Sequence, residues 1–62
     1  MNLEYVRAVF PDGSQAHWTT NEKTTIVLNG TLNRVTITES TGDVNELNLN
    51  TIPLVTYKQL VT

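Results

Sequence analysis

His17 is the only imidazole in the chain, and there is no cysteine. Nucleophilic catalysis would require a hydroxyl or thiol within hydrogen-bond reach of such a base and a third group to orient it. The strand pairing derived below sets Arg7 opposite His17, a neighbour that completes no such triad. A lone imidazole without thiolates also leaves only carboxylates to hold a metal ion. Glu39, Asp43 and Glu46 surround the Ser40–Gly42 turn, but they lack the alternating oxygen ligands and terminal bidentate Glu of a calcium loop. A solvated acidic hairpin tip is the simpler reading. Gly13, Gly30 and Gly42 each stand alone in a turn, so no phosphate-cradling glycine motif is present. No catalytic residue, cofactor or metal is expected.

The aromatic residues are Tyr5, Phe10, Trp18 and Tyr57. Single-stranded nucleic acids are bound by stacking bases on exposed rings along a basic groove. Arg7, Arg34, Lys23, Tyr5 and Tyr57 could carry such contacts. Against this stand four Lys or Arg facing six Asp or Glu, a net charge of −2 and a pI near 5.0. A broad phosphate-binding surface is disfavoured by that balance.

The elements positioning these groups follow from composition and turn spacing. Eleven Thr and seven Asn among 62 residues, with two Ala, are strand-and-turn chemistry. Turn signals recur at Pro11-Asp12-Gly13, Asn21-Glu22-Lys23, Asn29-Gly30, Ser40-Thr41-Gly42 and Asn50-Thr51-Ile52-Pro53, marking short strands joined by hairpins. One domain spanning 1–62 is expected, all-β, a five- to six-stranded antiparallel meander or a small SH3-like or OB-like barrel. The segment Ile52 to Thr62 reads equally as a sixth strand or as a short helix with Pro53 in its first turn.

Residues directly opposite across an antiparallel pair share a face, which lets the registers be checked against one another. A three-residue loop Pro11–Gly13 pairs Ala8 with Ala16 and Val6 with Trp18. The dipeptide Asn29-Gly30 predicts a two-residue turn with Val27 opposite Leu32 and Thr25 opposite Arg34. A three-residue loop Ser40–Gly42 pairs Val35 with Leu47 and Thr36 with Glu46, at the expense of setting Glu39 opposite Asp43. The expected core is Val6, Ala8, Phe10, Ala16, Trp18, Ile26, Leu28, Val35, Ile37, Leu47 and Leu49. The reverse face carries Leu3, Tyr5, Val9, Val27 and Leu32 among Arg7, His17, Thr25, Arg34 and Thr36.

That semi-apolar reverse face is the feature pointing to function, since contiguous exposed apolar patches mark interaction sites. A chain this short buries only about 60% of its unfolded surface and has no disulfide to supplement its core. Self-association is therefore expected. The expected function is a non-enzymatic protein-interaction module, an adaptor, inhibitor or assembly component, contacting an unidentified protein partner and a second copy through Tyr5, Arg7, His17, Val27, Leu32 and Arg34. Nucleic-acid binding is the alternative. Size and composition resemble those of small accessory proteins of bacteria and their phages. No apolar run is long enough to span a membrane. Because Met1–Phe10 carries Glu4 and Arg7 where a secretory leader would be apolar, a cytoplasmic protein is expected.

Overall fold

A computed structural model describes residues 1–61. It contains six strands: β1 (Leu3–Val9), β2 (Gln15–Thr19), β3 (Thr24–Asn29), β4 (Arg34–Glu39), β5 (Val44–Asn48) and β6 (Leu54–Gln59). All pairings are antiparallel, in two three-stranded sheets ordered β2-β1-β6 and β3-β4-β5. The protein is therefore all-β, and the segment that could have been helix is the strand β6. Alternation in that segment puts Val55 and Tyr57 on the side of Ala8 and Val6, their partners on β1.

Leu3, Val6, Ala8, Ile26, Val35, Ile37 and Leu47 form the fully buried core between the sheets. Phe10, Trp18, Leu28, Leu49, Ile52 and Val55 pack around it, half-buried. Trp18 thus lies on the core side, as its pairing with Val6 requires.

The first and third hairpins have the expected registers. The Phe10 N–H donates to the Ser14 carbonyl (2.8 Å) and the Gly13 N–H to the Phe10 carbonyl (2.9 Å). The same pair of bonds closes the third hairpin, from Glu39 to Asp43 and from Gly42 to Glu39, both at 2.9 Å. Gly13 and Gly42 sit at φ +88° and +93°, the left-handed position that closes a three-residue loop.

The second hairpin corrects the expectation. Asn29 pairs with Arg34, Val27 with Thr36 and Thr25 with Thr38, so the loop has four residues, Gly30–Asn33. Two forces explain it. A two-residue turn would set Leu28 opposite Thr31 and Ile26 opposite Asn33, whereas the observed register sets Leu28 against Val35 and Ile26 against Ile37. In addition, the Asn29 side chain accepts from the N–H groups of Thr31 (3.0 Å) and Leu32 (3.1 Å), capping the longer loop. Asn33, at φ 52°, takes the left-handed residue in place of Gly30. The displacement is an even number of residues, so inside and outside are preserved.

The second correction is Leu3, expected outside but 0% exposed. A β-bulge between Leu3 and Tyr5 breaks the alternation, so Leu3 joins Val6 and Ala8 while Tyr5 stays outside. The same bulge makes β1 the corner of the molecule. Over Tyr5–Val9 it lies between β2 and β6, and at Asn2 it bridges to Val27 of β3. Met1 exchanges two hydrogen bonds with Leu28, closing that side. Between β5 and β6 the described residues form no main-chain hydrogen bond, and the roll stays open there.

Candidate functional site

The outer face of β2-β1-β6 follows from its registers. Arg7 lies between His17 and Thr56, Tyr5 between Thr19 and Lys58, and Val9 between Gln15 and Leu54. The Tyr5 and His17 rings meet edge to face, centroids 6.1 Å apart at 70°, an arrangement that aligns ring edge with ring face. The Arg7 Nη2 donates to the Gln15 Oε1 at 2.6 Å, holding an exposed guanidinium next to that ring pair. Lys58 reaches Glu4, in the bulge, at 3.2 Å.

The expected contact residues are therefore divided. Tyr5, Arg7 and His17 come together on this face. Val27 and Arg34 lie on the outer face of β3-β4-β5, and Leu32 projects from the β3–β4 loop. With Leu3 buried and Val27 on the other sheet, the continuous apolar wall expected from sequence does not form. Arg34 is moreover paired with Glu46, 3.6 Å away on the same face. Of the groups considered for nucleic-acid contact, Lys23 lies in the β2–β3 turn and Tyr57 on the inward side of β6, so only Arg7 and Tyr5 share a surface.

Two members of this face were missed in the sequence. Gln15 fixes Arg7, and Lys58 flanks Tyr5. Both were available from alternation: an outward His17 on β2 puts Gln15 outward as well, and once Val55 and Tyr57 are placed inward on a sixth strand, Lys58 must point outward.

The face differs in charge from the remaining surface. Arg7, Lys58 and the His17 ring surround Tyr5. The acids lie elsewhere: Asp12, Glu22, Glu39 and Asp43 in or beside turns, and Glu46 on the opposite sheet. Glu4 is tied to Lys58. Asp12 is occupied structurally, since its Oδ1 accepts from the Ser14 hydroxyl (2.6 Å) and the Ser14 N–H (2.9 Å). Those two bonds hold its carboxyl below the ordinary value of 3.8.

Three strand edges carry unpaired main-chain groups, and the strand alternation identifies them. Because the Leu60 N–H donates to the Asn2 carbonyl, Thr56 and Lys58 direct their peptide groups toward β1, and Val55, Tyr57 and Gln59 direct theirs away. By the same reasoning Gln15 and His17 form the free edge of β2, and Val44 and Glu46 that of β5, while at the strand ends the Thr19 carbonyl accepts from the Asn21 side chain and the Asn48 carbonyl from the Thr51 N–H.

Among the described residues there is no cavity of ligand size, no grouping of three metal-ligating side chains, and no helix long and apolar enough to cross a membrane. Comparison with protein-family models, with curated proteins and with solved structures returns no match.

Proposed function

We propose that this protein is a non-enzymatic interaction module that presents the outer face of β2-β1-β6 to a protein partner and also self-associates. The observation that carries the reading is the Tyr5–His17 ring pair beside an Arg7 already oriented by Gln15. Tyr and Arg dominate the energetics of protein interfaces, and a side chain held in place before contact loses less freedom on binding. The surrounding Thr19, Thr56, Val9 and Leu54 supply a mixed polar and apolar rim.

The test starts from a partner recovered with tagged protein from the native host, identified, and rebound as a purified component. Tyr5→Ala and Arg7→Ala should each weaken that binding roughly tenfold or more, with the circular dichroism spectrum unchanged. Unaltered affinity in both variants would remove the face from the account.

The same surface supports a second reading, because Arg7, Lys58 and His17 surround an aromatic ring on one sheet face. A single-stranded oligonucleotide would then bind with an affinity that falls steeply as salt rises. The protein reading instead expects no shift of either single-stranded or duplex oligonucleotides at physiological salt.

A further inference from the structure

We propose that β6 is the self-association edge, pairing antiparallel with β6 of a second copy about a two-fold axis at Thr56. The pairing joins the two β2-β1-β6 sheets into one of six strands. It rests on the self-association part of the reading above and adds the edge, the register and the symmetry.

The three free edges are not equivalent. On β5 the inward position opposite Ile37 is Asn45, which is exposed, and Glu46 lies among its unpaired peptide groups. An inward polar residue and a charge are the devices by which natural sheets discourage edge pairing. The five-residue edge of β2 carries Gln15, His17 and Thr19 on its outer face, and Gln15 is engaged by Arg7. Strand β6, Leu-Val-Thr-Tyr-Lys-Gln, keeps its charge, Lys58, and its inward polar residue, Gln59, at its C-terminal end, and leaves Leu54 57% and Tyr57 45% exposed over the rest. Tyr57 is an inward-facing residue whose ring is left partly uncovered where the roll is open. A strand laid along this edge would cover it.

The register follows from the sequence of β6. Unpaired peptide groups belong to Val55, Tyr57 and Gln59, so odd positions must meet odd positions of the second copy. An axis at Lys58 would bring two ammonium groups face to face, which is unfavourable. An axis at Tyr57 would set Val55 against Gln59. With the axis at Thr56, Val55 meets Tyr57 twice on the inward side, Thr56 meets Thr56, and Leu54 meets Lys58. Aromatic with β-branched and Thr with Thr are favourable cross-strand pairs. The second copy is thus the occupant that the strand itself fits, and four main-chain hydrogen bonds join Val55 and Tyr57 to their counterparts.

The test uses the full chain, which has no native cysteine. Sedimentation equilibrium from micromolar to millimolar concentration should show a monomer–dimer equilibrium. In a glutathione redox buffer Thr56→Cys should form a covalent dimer, because a non-hydrogen-bonded antiparallel pair brings its Cα atoms to about 4.5 Å, within disulfide range. Leu54→Cys should not, since the two copies of that position would lie about 13 Å apart along the strands. Thr56→Lys should weaken the dimer roughly tenfold by placing like charges on the axis. A wild-type chain that stays monomeric throughout would overturn both this proposal and the self-association it rests on, leaving the edge to a foreign strand. A wild-type dimer in which Leu54→Cys cross-links as readily as Thr56→Cys, or in which neither does, would overturn the β6 pairing alone.

Discussion

The two sheets divide the work of the molecule unequally. From β3-β4-β5 come Ile26, Val35, Ile37 and Leu47, spread over all three strands. In β2-β1-β6 every fully buried side chain belongs to β1, while β2 and β6 contribute only half-buried or exposed ones. The outer faces differ in the opposite sense. One is a Thr- and Asn-rich surface on which Arg34 is matched to Glu46, and the other gathers Tyr5, Arg7, His17 and Lys58. A domain this small cannot bury much on every strand. Concentrating the core in one sheet and the central strand of the other leaves two flanking strands available for contact.

The largest test of that division is Ile37→Ala. Truncating a fully buried Ile costs about 2–5 kcal/mol, comparable to the about 3–5 kcal/mol that a core of this size supplies. Cooperative thermal unfolding should vanish. The same truncation at half-buried Val55 should leave a clear transition, and comparable losses at the two sites would break the contrast.

The hairpins sharpen it next. Ala at Gly13 or Gly42, where φ is near +90°, should destabilise by roughly 1–2 kcal/mol in urea unfolding. Gly30→Ala should be neutral or stabilising by about 0.4–1 kcal/mol, because Gly30 has no positive φ and open space around it. Were the β3–β4 loop a two-residue turn, Gly30→Ala would cost as much as the other two. The register that aligns the β3-β4 half of the core would then be different.

The smallest effect concerns the β1–β2 turn. Ser14 holds the Asp12 carboxyl below its ordinary 3.8. Asp12 therefore contributes stability that is present above that value and is lost as pH falls through the lower folded-state one. Asp12→Ala should be slightly less stable than wild type at neutral pH, the difference closing under strongly acid conditions. A constant difference across the range would mean that the turn does not depend on the ionised carboxylate.

Much of this fold is legible from residues alone where several constraints agree. At Pro11–Gly13 and Ser40–Gly42 the turn chemistry and the alignment of apolar partners give one register, and that register forms. At Asn29-Gly30 the dipeptide signal and the apolar alignment disagree. Here alignment wins, because Ile26 against Ile37 and Leu28 against Val35 bury more than a shorter loop saves, and the Asn29 side chain caps the longer loop. Leu3 was misread because period-two alternation has no way to register an inserted residue. Beside the bulge, Asn2 bridges to Val27 of β3, a contact between distant parts of the chain. For the contact face, Tyr5, Arg7 and His17 follow from the first hairpin alone. Separating them from Val27, Leu32 and Arg34 required knowing that the strands form two sheets, which no local pattern encodes.

That β3-β4-β5 and β1 hold the fold while β2 and β6 are left for contact is checked by residue-resolved amide hydrogen exchange at low and high protein concentration. Val35 and Ile37 should exchange slowest under both conditions, and protection at Val55 and Tyr57 should rise with concentration while Gln15, His17, Val44 and Glu46 stay unprotected. Exchange at Val35 and Ile37 as fast as on β6, or concentration-dependent protection appearing on β5 rather than β6, would contradict it.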